Sequence, residues 1–505
     1  MSRRVRRRRA GAALTACLLL AACGSGDSIL DAGNDRAPST TAASTVPGQT
    51  TVPTMPPTTL PAELADFPPC TPSALDAASG PVAITFWHGL SNELGAELER
   101  QTAAYNASQS RVKVNLEFQG GYEQTIDKYL QSNPDNRPDL VQTPEYALQL
   151  MIDTRSTVPV EQCIRADRYD TSPFIPAVLK AYATQGVQWT MPYNVSNPVL
   201  FYNKKYFADA GLDPDTPPLT LDEVSAVGLQ LQSTGAAAYG LAVDTPPDGG
   251  GGWFLEQWLG KEGEFYSDNE NGRSAPSTKV LWDGPVAVDI VTQLRDVVTE
   301  GGGVYVGQNP SGQDTLLKLA DPSAPAAMAI TTSAALGPVL SIVGAGTIPG
   351  VTAADIGIGP MPSPSGKPGA TVGGASLWIV DKGDEAKAAA AWEYIQYLVS
   401  AQAQSDWAAG TGYVPVRTDS LDLDPIKTIY ATDPRFKVAY DQLIASPDSP
   451  TASGPVLGPL RQVRVLAADA LTAVLGGADP QTALSAAATQ ANKLVDEYNA
   501  TRPPG

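Results

Sequence analysis

The chain has 505 residues, 34 Lys and Arg against 53 Asp and Glu, and 43% hydrophobic content. Its formal charge of −19 disfavours nucleic acid or an anionic membrane face as a partner, although a small anionic ligand responds to the local field of a pocket. With one histidine, His88, there is no His pair for a zinc site, and no Gly-x-Ser-x-Gly elbow or Ser/His/Asp set presents itself.

The N-terminus carries Arg3, Arg4, Arg6, Arg7, Arg8 and Arg9, then an apolar run from about Ala10 to Ala22, then Cys23. A bilayer span needs ~20 apolar residues, so residues 1–22 read as a cleaved signal peptide. Leu20-Ala21-Ala22-Cys23 looks like a lipobox, which implies acylation of Cys23; an ordinary secretory signal is the alternative. Loss of the six signal arginines takes the charge of −19 to −25. Export leaves Cys70 and Cys163 in an oxidising compartment, so a Cys70–Cys163 disulfide is expected, against two separate buried thiols.

Residues 23–66 are Ser, Thr, Pro, Ala and Gly with few large apolar side chains, the composition of a disordered tether spanning about 35–40 Å. The folded domain is expected over 67–505. Val82, Ile84 and Phe86 alternate with smaller neighbours, and Leu94, Leu98 and Tyr105 follow at helical spacing. Val112, Val114, Leu116 and Phe118 alternate with Arg111, Lys113, Asn115 and Glu117, a period-two strand. Strands alternating with helices predict an α/β layered domain with a mainly parallel sheet. Thr220 to Glu223 is a capping-box pattern, and Asp479-Pro480 predicts a helix start ahead of the apolar stripe from Leu484 to Tyr498. The glycine runs at 249–252 and 301–303 lack a P-loop lysine and read as loops.

Residues 191–223 read MPYNVSNPVLFYNKKYFADAGLDPDTPPLTLDE: a buried strand enters a helix, and a Gly-Leu-Asp-Pro turn leads to the next. Together with ITFWHGL (84–90), GGYEQT (120–125), GGASLWIV (373–380), TGYVPV (411–416) and LRQVRV (460–465), this stretch resembles family 1 of the extracellular solute-binding proteins that serve ABC importers. The resemblance is strongest to the glycerol-3-phosphate and glycerophosphodiester binding branch. It implies a two-lobed, type II periplasmic-binding-protein-like α/β fold with a ligand cleft at a multi-strand hinge. Carried onto this chain, the crossings fall near 192–196, 373–376 and 412–415. Lobe one would be about 80–192 and 376–413, and lobe two about 196–372 and 415–505.

The resemblance also implies a ligand set. Tyr122 follows Gly-Gly after a strand, where open α/β sheets bind ligands, with a plain surface tyrosine as the alternative. Glu145, after PDLVQTP, would accept hydrogen bonds from vicinal hydroxyls, or simply favour a helix dipole. Ser196 in NVSNP suits phosphate oxygens, or forms a turn. Gly374 would offer its N–H where a side chain would block the ligand, and Tyr413 its hydroxyl. Arg464 is the expected phosphate fork, with Arg461 three residues away as its substitute. Ser333 is the hydroxyl candidate after AITT, and Trp253 would stack on a sugar face or a choline group unless it is packed. His88 is expected to be structural.

The expected function is a lipid-anchored, extracytoplasmic binding protein that captures glycerol-3-phosphate or a glycerophosphodiester by hinge closure and delivers it to the membrane subunits of an ABC importer. It would act as a monomer without cofactor or metal, touching the membrane only through its anchor. The first alternative is a mono- or oligosaccharide ligand. The second is an anchored hydrolase, which the abundant carboxylates permit and the missing nucleophile motif opposes.

Overall fold

The computed structural model describes residues 62–309 and 312–502, all within one unit spanning 59–505. The signal peptide, Cys23 and most of the tether lie outside the described residues. The tether expectation runs five residues too far: helical turn Ala62–Leu64 already packs, with Leu64 2% exposed and Phe67 edge-on to Trp189 at 5.1 Å. Leu64 is the large apolar side chain in those last tether residues, and its burial holds the turn against the domain.

The main strands are β1 (Val82–His88), β2 (Val112–Phe118), β3 (Leu140–Pro144), β4 (Thr157–Val158), β5 (Met191–Ser196), β6 (Pro198–Asn203), β7 (Tyr239–Asp244), β8 (Val304–Gly307), β9 (Ala326–Thr332), β10 (Ile356–Pro360) and β11 (Gly373–Val380). The first sheet runs β2-β1-β3-β11-β4, with β5 also paired to β11; the second runs β8-β7-β9-β6-β10. Val112 and Val114 are buried while Lys113 and Asn115 are exposed, as the period-two pattern requires. β5 and β6 are buried along their whole length; β6 reads as a near-continuous apolar run, whereas β5 buries the polar Asn194 and Ser196.

The expectation of a mainly parallel sheet is corrected. β1 lies parallel to β2 and β3, and β7 to β8 and β9, but β11 is antiparallel to β3, β4 and β5, and β6 to β9 and β10. The antiparallel strands are those that carry the chain between sheets. β5 ends in the first sheet at Ser196 and β6 begins in the second at Pro198; the chain returns between Pro360 and Gly373; Val414 bridges back to Val195. A strand that enters from the other sheet is free of the helical crossover that makes neighbours parallel.

Helix Leu221–Ser233 starts with both halves of the Thr220/Glu223 capping box, and helix Pro480–Thr501 with the Asp479 side chain accepting from the Thr482 N–H. Cys70 and Cys163 are joined, with Cα atoms 4.9 Å apart, tying the first turns of the domain to helix Val160–Asp167. His88 is buried between Phe86 and Phe118, and burial pushes its imidazole down to about 4, in keeping with a neutral structural role.

Candidate functional site

The loops that follow β2, β3, β7 and β9 carry Tyr122, Glu145, Trp253 and Ser333, so the carboxyl ends of the parallel strands in both sheets feed one region. The crossings supply Ser196, Gly374 and Tyr413. Helix Leu460–Leu475 brings Arg464.

Arg464 is the centre. Its side chain is 2% exposed, and three acids hold it. Nε donates to Glu256 Oε1 at 2.7 Å and Nη2 to Glu256 Oε2 at 2.8 Å, a bidentate grip. Nη2 also donates to Glu145 Oε1 at 2.8 Å, and Nη1 to Asp248 Oδ1 at 3.2 Å. The guanidinium carbon stands 5.0 Å from the Tyr146 ring centre, a cation–π contact. Burial alone would lower the guanidinium; the facing carboxylates of Glu256, Glu145 and Asp248 outweigh it and hold the proton well above the ordinary range. Burial likewise raises Glu256 and pushes Glu145 up to about 7 against the pull of Arg464. One turn earlier, Arg461 pairs with Asp127 at 2.7 Å and with Glu123, whose other oxygen accepts from the Tyr146 hydroxyl. Both arginines thus reach from the second sheet's helices to acids that follow strands of the first.

A buried polar chain positions the aromatic wall. The Gly89 N–H donates to Gln142 Oε1 (3.0 Å), Gln142 Nε2 to Asn194 Oδ1 (2.7 Å), and Asn194 Nδ2 to the Tyr122 hydroxyl (2.7 Å), which is hydrogen-bonded in turn to Tyr413. Gln142 and Asn194 are fully buried, so each amide end is fixed by its neighbour. Burial pushes the Tyr122 and Tyr182 hydroxyls well above their ordinary range, so both are donors at neutral pH. The Tyr182 hydroxyl, Trp253 Nε1 and Ser333 Oγ are buried without a hydrogen-bond partner. Such groups are costly in a purely structural role and fit a polar ligand.

Of the residues implied by the resemblance, the structure joins some directly and leaves others at the crossings. Tyr122 and Tyr413 are joined, and Glu145 meets Arg464 directly. Ser196 pairs with Gly373 in the β5–β11 ladder, and the Ser333 N–H donates to Asn197 O at 2.9 Å, which places both at the crossings; neither serine is hydrogen-bonded to Arg464. Trp253 is packed edge-on against the backbone of Gly373, where a Cβ would come within 2.2 Å of its ring. For Gly374 the structural reason differs from the one implied: its φ is +97°, and a Cβ would meet the Asn194 carbonyl oxygen at 2.0 Å, so strand pairing alone demands glycine. The run at 249–252 is a loop that also seats helix Trp253–Glu262, since a Cβ on Gly252 would lie 2.8 Å from that of Arg464.

Sequence reasoning missed Glu256, Asp248, Tyr146, Tyr182, Gln142 and Asn194. One signal was present: Glu256 is an acid inside the apolar run WFLEQWL, and an acid buried there needs a cation.

Comparison with known proteins agrees with this fold. Residues 101–438 match the family of bacterial extracellular solute-binding proteins. The chain is 28% identical over 443 residues to the sn-glycerol-3-phosphate-binding periplasmic protein UgpB of Yersinia pseudotuberculosis, covering 85% of this chain and 96% of that one. It is 26% identical over 432 residues to its counterpart from Escherichia coli, covering 83% and 94%. Among solved structures, UgpB from Mycobacterium tuberculosis in complex with glycerophosphocholine superposes with a TM-score of 0.67 at 21% identity, covering 84% of this chain and 100% of that one. The cyclic α-maltosyl-1,6-maltose binding protein from Arthrobacter globiformis does so with 0.66 at 21% identity, covering 83% and 100%.

Proposed function

The chain belongs to the bacterial extracellular solute-binding protein family, and from that premise we propose that it is the lipid-anchored binding component of an ABC importer, capturing a glycerophosphodiester or glycerol-3-phosphate between its lobes. The observation that carries the reading is Arg464: a guanidinium 2% exposed, reaching from one lobe to Glu145 of the other, with the Tyr182 phenol also facing Glu145. A phosphate is the natural bidentate partner of such a group. The similarity in sequence to glycerol-3-phosphate binders supports the phosphorylated glycerol unit.

The local charge narrows the class. Glu145, Asp248 and Glu256 surround one arginine, and Glu123 and Asp127 surround the other. A dianion entering that field is repelled, whereas a diester whose single phosphate charge is balanced by an ammonium group is not. Acids and aromatic rings then serve the cation and the glycerol hydroxyls. Glycerophosphocholine has this chemistry. The ligand contacts come from both sheets, so binding free energy is gained only when the lobes are together, and the ligand shifts the population toward closure.

A second reading rests on the same clamp. With carboxylates on three of its nitrogens, Arg464 also suits a neutral polyhydroxylated ligand, and the Tyr122–Tyr413 pair suits a sugar face.

A thermal-shift panel of glycerophosphocholine, glycerol-3-phosphate, maltose, trehalose and inorganic phosphate separates them. A ligand at 100 times its Kd adds about 2.7 kcal/mol to stability. Stabilisation by glycerophosphocholine that Arg464→Lys weakens is the expected outcome; stabilisation by sugars alone refutes the phosphate reading, and turnover of the diester refutes a binding role.

A further inference from the structure

We propose that Glu145 is an exchangeable anion on Arg464: it occupies the guanidinium edge that a ligand phosphate must take, and it accepts one proton from solvent when the phosphate displaces it. This rests on the phosphodiester reading above.

The geometry of the clamp leaves one route in. A guanidinium offers five N–H groups in two usable edges. The Nε/Nη2 edge is closed by both oxygens of Glu256, whose side chain is 3% exposed. The Nη1/Nη2 edge is held by Asp248 on one nitrogen and Glu145 on the other. Asp248 is 52% exposed and can turn to water. Glu145 cannot: its side chain is 17% exposed and stands on a short helical turn, Glu145–Ala147, directly after Pro144 at the end of β3. Once a phosphate takes the Nη1/Nη2 edge, Glu145 stays beside it as a second anion. A carboxylate held against a phosphate raises its proton affinity until the neutral acid is favoured, and the neutral acid can donate to a phosphate oxygen.

The groups that face Glu145 agree. Helix Leu460–Leu475 presents Arg464, with Arg461 already paired to Glu123 and Asp127; the Trp253–Glu262 helix presents Glu256; the preceding loop presents Asp248. Tyr122, Tyr182 and Tyr413 face it as neutral phenols, and Tyr146 adjoins it in the chain. On the following helix, Asp153 is engaged by Arg502 at 3.0 Å and Tyr498 at 2.8 Å. Arg464 is therefore the cation that keeps Glu145 ionised, and it is the one the ligand takes. Burial has already pushed the carboxyl up to about 7, so the exchange falls in an accessible pH range.

The test is calorimetric titration of the intact protein with glycerophosphocholine, whose diester does not titrate near neutrality, in two buffers of different ionisation enthalpy. The expected result at about pH 8 is uptake of close to one proton per site, with Kd weakening up to about tenfold per pH unit above about pH 7 and levelling below it. Glu145→Gln brings the proton count to about zero and flattens the pH profile. Binding of glycerophosphocholine without proton uptake overturns the inference and leaves the phosphodiester reading standing; uptake that persists in Glu145→Gln overturns the assignment to this residue. Failure of the wild type to bind glycerophosphocholine while it binds trehalose or maltose overturns both. Where Glu145→Gln binds too weakly to titrate, the wild-type proton count and pH profile decide.

Discussion

Glu256→Ala is the perturbation whose size the structure fixes best. The residue lies within the apolar helix Trp253–Glu262, its side chain 3% exposed, with two charge-assisted hydrogen bonds to Arg464 at 2.7 and 2.8 Å. Removing one member of a buried pair costs about 3–5 kcal/mol, mostly because the partner charge stays buried. Here Glu145 and Asp248 still touch Arg464, which places the expected loss at the lower end, about 3 kcal/mol. Glu256→Gln keeps the shape and one accepting oxygen and should lose about 1–2 kcal/mol. Replacing both partners, Arg464→Met with Glu256→Leu, removes the charge that made the single change costly. The double variant should be more stable than the sum of the single losses by at least about 2 kcal/mol. Urea unfolding at neutral pH, followed by tryptophan fluorescence and extrapolated linearly, reads wild type, Glu256→Ala, Glu256→Gln, the double variant and its two components Arg464→Met and Glu256→Leu. Single losses below about 1 kcal/mol, or an additive double variant, would refute the claim that this pair is a coupled buried unit.

Burial pushes Asp244 up to about 7, above the ordinary aspartate value, so the folded protein binds the proton more tightly than the unfolded chain. Stability from this group is therefore full below about pH 4 and falls as pH rises toward 7; Glu145 acts with the same sign. Asp244→Asn should raise stability at pH 8 by up to about 2–4 kcal/mol and leave it nearly unchanged at pH 4, read as the difference in Tm between the two conditions. Replacing Cys70 and Cys163 by serine opens a crosslink of sequence separation 93 and should cost up to ~4–5 kcal/mol by chain entropy, measured by denaturant unfolding against the oxidised wild type. Gly374→Ala forces a Cβ onto the Asn194 carbonyl and a left-handed φ on alanine; it should cost about 1–3 kcal/mol and, by moving Asn194, loosen Tyr122 and weaken ligand binding in the same titration.

What was legible in the sequence was what local pattern encodes. The β2 strand shows its alternation from Val112 to Asn115 and loses it at Phe118, which is exposed, whereas the Thr220 and Asp479 caps form as their spacing requires, because each depends on neighbours within a few positions. Arg464 and the crossing residues came through the resemblance to family motifs; the structure joins Arg464 to Glu145 and Tyr122 to Tyr413. Strand direction was not legible: whether β11 runs parallel or antiparallel to β3 depends on which sheet the chain arrives from. Nor were the partners of Arg464. Glu145 and Glu256 lie 319 and 208 residues from it along the chain, and only burial shows that they share one cation. The same holds for the Gln142–Asn194–Tyr122 chain, whose members sit on separate elements and carry no common motif. Leu64 was hidden by the tether-like composition around it.

A crystal structure of the protein grown with glycerophosphocholine tests the central claim most directly. The expected result is the phosphate on the Nη1/Nη2 edge of Arg464, with Glu256 still gripping Nε and Nη2, Glu145 released from Nη2, and the trimethylammonium group against the aromatic wall. A cleft in which Arg464 keeps Glu145 and the phosphate lies elsewhere, or one that admits a sugar and excludes the diester, would contradict it.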